Sequence, residues 1–345
     1  MRSWMLGLLC VAIASAGAAV PGGTEAAVDK GIAFLLSKQR PDGAIVAGER
    51  NETAMTSLAI LALASAGHQP IDPAPEGEAM RRALGFVLQA DRQEPNGYFG
   101  QKDGSRMYGH GITTLMLAEM LGMGVDREQD RLLRERCAKA IALILRSQPQ
   151  REGPHRGGWR YTPDSRDSDL SVTVWQLAAL RSARNAGLEV SKQAIDEAVD
   201  YVKRSYRGER AGATGPVGGF SYQASGNEVR FSTTAQGLLA LQVSGEYGAP
   251  EVEGAANRLL SDTRDQTSKW FYYGTYYYSK GMFQRGGPHA EAAEKRVAEL
   301  LLPRQKPDGS WQGEGDEHKA GPIYSTSLAI LSLAVRHHYL PIYER

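Results

Sequence analysis

GGWRYTPDSRDSDLSVTVWQLAALRSA, residues Gly157 to Ala183, reads in three parts. Gly157-Gly158-Trp159 is a tight turn ending in an anchored indole. Tyr161 to Asp169 is a polar loop that carries Asp164, Asp167 and Asp169. Leu170 to Ala183 is a helix with almost no polar face, and a helix that is apolar nearly all round must be buried. Turn, loop and buried helix form one half of a helical hairpin.

The same plan recurs along the chain. The turn marks are Gln39-Arg40-Pro41-Asp42-Gly43, Asn96-Gly97-Tyr98-Phe99-Gly100, Gly157-Gly158-Trp159, Gly218-Gly219-Phe220, a degenerate Lys269-Trp270, and Gln305-Lys306-Pro307-Asp308-Gly309-Ser310-Trp311. They fall roughly 40 to 60 residues apart, the range of helical-hairpin repeats. One helix of each pair is amphipathic: Ala79 to Arg92 puts Met80, Leu84, Val87 and Leu88 on one stripe. The other is apolar throughout, as in Thr53 to Ala66 and Ser325 to Val335. Amphipathic helices belong outside and apolar ones inside. The last inner helix is as apolar as the first, so the ends are expected to cover each other rather than carry polar caps. The expected fold is all-α: an α/α toroid of six helical hairpins, one domain over residues 24–345. Its longest loops, near Gln148 to Ser168 and Gly208 to Val229, belong where the inner helices begin.

The N-terminus reads differently. Arg2 is a short positive region, Met5 to Ile13 a short apolar run, and Ala14 to Ala18 offers small-residue cleavage sites. Residues 1–18 are therefore expected to be a Sec-type signal peptide, and the mature chain exported, periplasmic or secreted. Cleavage would leave Cys137 alone, so no internal disulfide can form. A formal net charge of +1 argues against nucleic acid as a partner. No second span and no basic amphipathic helix points to a membrane. The oligomeric state stays open.

Gln305 to Trp311 resembles the glutamine-tryptophan repeat of squalene–hopene and oxidosqualene cyclases, with Gln39 to Gly43 a weaker copy. The resemblance places the chain among the prenyltransferase and squalene-cyclase repeat proteins, whose members form α/α toroids. It implies a central cavity for an isoprenoid or other apolar ligand, with or without turnover. Asp167-Ser168-Asp169-Leu170 is similar to the Asp-X-Asp-Asp box of class II terpenoid cyclases. That implies Asp169 as the acid and Asp167 as its neighbour, although Leu170 replaces the last Asp and Ser171-Val172 the usual Thr-Ala. The competing reading is a helix cap, with Asp167 or Ser168 capping and Asp169 complementing the helix dipole. His110 is a candidate hydrogen-bonding partner for Asp169 or a metal ligand, against a structural role at the helix start. Tyr108, Arg166, Trp175, Arg230, Tyr273, Tyr277 and Tyr324 are the ligand-binding candidates, with Arg160 beside them. Tyr273 and Tyr277 share one helix face, and aromatic faces can hold cations or stack on sugars. Protein prenyltransferase β subunits bind zinc through Asp, Cys and His. Ser325 stands where that His would fall and no Asp-X-Cys occurs, so no metal or other cofactor is expected.

Two other functions fit the same residues: an exported polysaccharide lyase-type toroid, because acid, Arg and Tyr around a groove suit an anionic sugar, and a non-catalytic envelope scaffold. A closed apolar cavity favours the isoprenoid reading, a charged open groove the polysaccharide, and a filled centre the scaffold.

Overall fold

The computed structural model describes residues 23–48, 50–150, 152–212, 215–261, 269–337 and 339–343. The expected signal peptide lies outside them. The chain runs α1 (Gly23–Ser37), α2 (Glu52–Ser65), α3 (Pro75–Val87), α4 (Arg106–Glu119), α5 (Arg127–Arg146), α6 (Leu170–Asn185) and α7 (Lys192–Arg204). A two-stranded antiparallel ribbon follows, β1 (Tyr206–Gly212) with β2 (Gly215–Phe220), pairing Tyr206 with Phe220. Then come α8 (Phe231–Val243), α9 (Pro250–Ser261), α10 (Phe271–Arg285), α11 (Gly287–Leu301), the short α12 (Gly315–His318) and α13 (Gly321–Leu333).

The all-α toroid is what the sequence pattern predicts. Helices α2, α4, α6, α8, α10 and α13 each pack on the next, and α13 packs back on α2. Helix α1 lies against α13 and completes the closure. Pro75 opens α3, where a missing N–H costs nothing. Asp126 caps α5 by accepting the Gln129 N–H at 2.8 Å. The ribbon departs from the expected loop: Gly208, Gly212, Gly215, Gly218 and Gly219 leave it without alternating apolar residues, which is the pattern that marks a strand. No helix among the described residues is long and apolar enough to cross a membrane.

The turns act as clasps between hairpins. Gln305 Nε2 donates to Gly309 O at 3.0 Å and to Ala27 O, on the first helix, at 2.8 Å. Gln39 bonds Gly43 and Ala79 in the same way, Gln93 bonds Gly97 and Arg136, and Gln148 bonds Gly157 and Ala194. Each glutamine ties its own turn to the next outer helix. The turn glycine is pressed onto that helix as well: Gly157 has φ 81°, and a Cβ there would lie 2.1 Å from Glu197 O. Only glycine meets both demands.

The centre of the ring is filled. Trp175 stacks on Tyr276 with ring centroids 5.9 Å apart and an interplanar angle of 7°. Tyr277 packs edge-on against both Tyr273 and Tyr276 at 4.9 and 4.8 Å. From the far end a single 3-10 turn, Pro341–Tyr343, enters the ring. Tyr343 OH and Tyr276 OH share a hydrogen bond of 2.6 Å, Gln284 donates to Tyr343 O, and the Ile342 N–H donates to Glu119 at 3.2 Å. Voids of about 10 and 20 Å³ remain around Tyr343, too little for a ligand. The apolar chamber expected for an isoprenoid is occupied by the chain's own aromatic rings.

Candidate functional site

The inner helices begin at the end opposite that plug, and the loop from Gly157 to Asp169 lies over this mouth. Trp159 fixes the loop: its indole N–H donates to Ile144 O at 2.9 Å, and its carbonyl accepts the Asp169 N–H at 3.0 Å. Asp169 is itself the N-cap of α6, with extended backbone. Its Oδ1 accepts the Val172 N–H at 3.0 Å and the Ser171 hydroxyl at 2.6 Å. Its Oδ2 makes no hydrogen bond in return and stands 3.4 Å from Arg160 Nε. The side chain has 0% exposure. Burial raises the Asp169 pKa, and the bonds from Ser171 and Val172, the Arg160 charge and the Tyr222 hydroxyl only partly offset it.

Arg160 joins the acid to the surface. Its Nη1 is 3.5 Å from the half-exposed Asp167 and has no hydrogen-bond partner. Its guanidinium lies over Tyr161 at 4.5 Å and near Tyr222 at 5.7 Å, a cation–π arrangement. The phenols of Tyr161 and Tyr222 share a hydrogen bond of 2.6 Å. Tyr108 OH bonds Ser171 Oγ at 2.6 Å, and Tyr273 OH donates to Ser171 O at 3.1 Å. Residues from α4, α6, α10 and two loops therefore meet in one polar, aromatic floor. Burial and the neighbouring Asp169 and Tyr161 push the Tyr222 phenol far up, so it stays a neutral donor.

A second buried carboxylate borders this floor. Glu317, on α12, accepts the Tyr273 N–H at 3.0 Å and the Tyr272 N–H at 3.1 Å, and so caps α10. Burial moves its pKa up to about 7 against the pull of those N–H groups. Tyr324 is half-buried, and burial, then Glu317, Tyr273 and Tyr108, raise its pKa well above the usual value.

The other expected residues lie elsewhere. His110 is buried: its Nδ1 accepts the Phe99 N–H at 3.3 Å and its Nε2 meets Ala140 O, on outer helix α5, at 3.2 Å. Neither nitrogen is left for Asp169. Other hairpins fill this position with threonine: Thr56 for Ile45, Thr173 for Trp159, Thr234 for Phe220 and Thr326 for Trp311. Trp175 and Tyr277 belong to the filled centre. Arg230 is exposed and pairs with Glu228 at 2.6 Å, and Arg166 is exposed on the loop. Sequence reading missed Tyr222 and Glu317. Tyr222 had a signal, because it follows Phe220 at the offset by which Tyr161 follows Trp159. Glu317, in a loop-like stretch rich in Gly and charge, had none. Among the described residues no group of three or more His, Cys, Asp or Glu side chains comes together to hold a metal.

No protein-family description matches this chain, and no curated protein sequence matches it. Solved structures match its fold. An inactive variant of the α-1,6-mannanase GH76A of Salegentibacter sp. HEL1_6, in complex with α-1,6-mannotriose, aligns with TM-score 0.64 at 8% identity, over 92% of this chain and 99% of that one. A glycosidase variant in complex with glucose aligns with TM-score 0.53 at 13% identity, over 92% of this chain and 98% of that one. At such identities the likeness speaks for the fold. It also corrects the expected kinship: the neighbours are glycosidase-type toroids, not squalene–hopene or terpenoid cyclases. The isoprenoid partner is corrected with it, because the mannanase holds an oligosaccharide and the central chamber of this chain is filled.

Proposed function

We propose that the mouth binds a neutral polysaccharide chain and that the protein is a carbohydrate-active toroid. One observation carries this: the half-buried phenols of Tyr161 and Tyr222 flank the Arg160 guanidinium, Tyr108 packs on Tyr161, and the buried Arg160 Nη1 has no hydrogen-bond partner, over a ring with no room inside. Aromatic rings with polar tips suit the faces and hydroxyls of sugars, and the planar Arg160 fork suits paired oxygens. The charges favour a neutral sugar over the anionic one. Arg160 already faces both Asp167 and Asp169, and a further carboxylate would be repelled by them.

In this reading Tyr108, Tyr273 and Tyr324 line the floor and Asp167 reaches the sugar. Asp169 holds Arg160 in place and is the candidate acid, because burial favours its protonated form. Its complete burial favours a second reading, binding without cleavage. The variant Asp169→Asn separates the two. Asparagine caps a helix about as well as aspartate, so the loss of stability expected is that of the buried pair with Arg160, about 3 kcal/mol or less. A cleaving enzyme would lose product formation, measured by mass spectrometry, far more than affinity for α-1,6-manno-oligosaccharides, measured by calorimetry. A wild-type protein that binds these and other neutral glycans without products is a binder. One that binds none of them rejects the proposal.

A further inference from the structure

A cavity of about 170 Å³ opens at the start of α2, lined by Glu52, Asp91, Arg92, Lys102 and Asp103 among others. We propose that it is a second sugar subsite, so that a glycan held at Arg160 continues across Tyr108 into it. This rests on the carbohydrate reading of the mouth.

The volume suits a single sugar ring and falls short of the usual pocket for a drug-sized ligand. The helix end is not what binds there, because Asp103 already accepts the Thr53 and Ala54 N–H groups at 2.7 and 3.3 Å. Glu52 is likewise fixed, at 2.6 Å from Arg40 and 3.1 Å from Arg92. Asp91 and Lys102 are different: both are exposed, both line the cavity, and among the described residues neither side chain has an ion-pair or hydrogen-bond partner. One supplies acceptors and the other donors. Of the side chains lining the cavity, Glu52, Asp91 and Asp103 are acidic and Arg92 and Lys102 basic. The mixed wall, with one surplus carboxylate, disfavours an anion. It suits a neutral ligand whose groups both donate and accept, which is what sugar hydroxyls do.

The cavity and the Arg160 floor are joined by one short stretch of chain. Lys102 and Asp103 stand on the loop that leads into α4. Four residues on from Asp103, the Met107 N–H donates to Tyr161 O at 3.0 Å, and the next residue is Tyr108, whose ring lies 6.0 Å from that of Tyr161. One short stretch therefore carries the cavity wall at one end and the floor of the mouth at the other.

The test is a length series of α-1,6-manno-oligosaccharides titrated into wild type, an Asp91→Ala/Lys102→Ala double variant and Arg160→Ala. Wild type is expected to gain about tenfold in affinity when the oligosaccharide becomes long enough to reach the cavity. The double variant, altered only at exposed and unpaired side chains, should bind the shortest ligand like wild type and lose that gain. Arg160→Ala should weaken every length. A double variant that keeps the full gain overturns the proposal, as does a wild type with no gain on lengthening. A wild type that binds no length overturns the mouth reading and the subsite with it, whereas loss of the gain alone leaves the mouth reading standing.

Discussion

His110 shows how one residue type changes meaning with its surroundings. In sequence it stands at the start of an inner helix, where a catalytic base would stand. In the fold it does what threonine does in other hairpins, accepting the N–H of the residue that ends the turn. It also reaches one acceptor further, to Ala140. Burial lowers its pKa from 6.5 to about 3, so the ring is neutral over the physiological range. His110→Ala would leave the Phe99 N–H without a partner, at about 1–3 kcal/mol, and remove the second bond to the Ala140 carbonyl, which keeps its own helical N–H. His110→Thr would restore only the first bond, as Thr173 makes it with Trp159. Urea unfolding should therefore rank wild type above His110→Thr and His110→Ala last, with glycan affinity unchanged in both. Equal losses for the two variants would mean that the turn bond is worth nothing. Loss of affinity without loss of stability would return His110 to the site.

At the scale of elements, the hairpins were legible because each needs the same few residues for the same reasons. Glycine permits a positive φ and close contact, glutamine reaches two carbonyls, and an aromatic ring seals the junction. Gln93 and Gln148 make the clasp without the full motif around them, so pattern reading passed over them. The β1–β2 ribbon was hidden by its glycines, and the filling of the ring by Pro341–Tyr343 depends on contacts between residues far apart in sequence. The candidate site was legible in part. Asp167, Asp169, Tyr108 and Tyr273 stand near helix starts, whereas Glu317 reaches the mouth only through the placement of α12. Two glycines measure what the clasp is worth. Gly157 has φ 81° and meets Glu197 O, whereas Gly187 has φ 79° and nothing within 4 Å of its missing Cβ. Gly187→Ala should cost only the left-handed backbone term of about 1–2 kcal/mol. Gly157→Ala should cost at least about 2 kcal/mol more, because a carbonyl of the neighbouring helix cannot rotate away. Equal midpoints in denaturant would show that the turn can lift off α7 without penalty.

For the whole molecule, closing the ring buries ionisable groups that an open solenoid would leave in water, and stability should carry their signature. Glu317 is held in the ring at 1% exposure with its pKa raised from 4.5 to about 7. A raised folded-state pKa means that the folded protein binds the proton more tightly. Its contribution is therefore complete below pH 4.5 and is lost as pH rises through 7. Lys280, at 4% exposure near the plugged end, has its pKa lowered from 10.5 to about 7 by burial, with Glu119 opposing, and its Nζ lies 4.6 Å from the Tyr343 ring. The sign is opposite: its contribution is complete above pH 10.5 and is lost as pH falls through 7. The two opposing slopes meet near neutrality, so together these groups cut a minimum into the stability profile there. Glu317→Gln keeps a side-chain acceptor for the α10 N–H groups but cannot titrate, and should remove the fall between pH 4.5 and 7. Lys280→Met keeps the length of the side chain without its charge, and should remove the rise between pH 7 and 10.5. Each variant should leave the other slope intact, because Glu317 sits at the mouth and Lys280 beside the plug, and distant sites add independently. Melting temperatures measured across that range would show it. A profile that neither variant changes would mean that both groups already titrate as they do in water, and that the ring does not hold them closed.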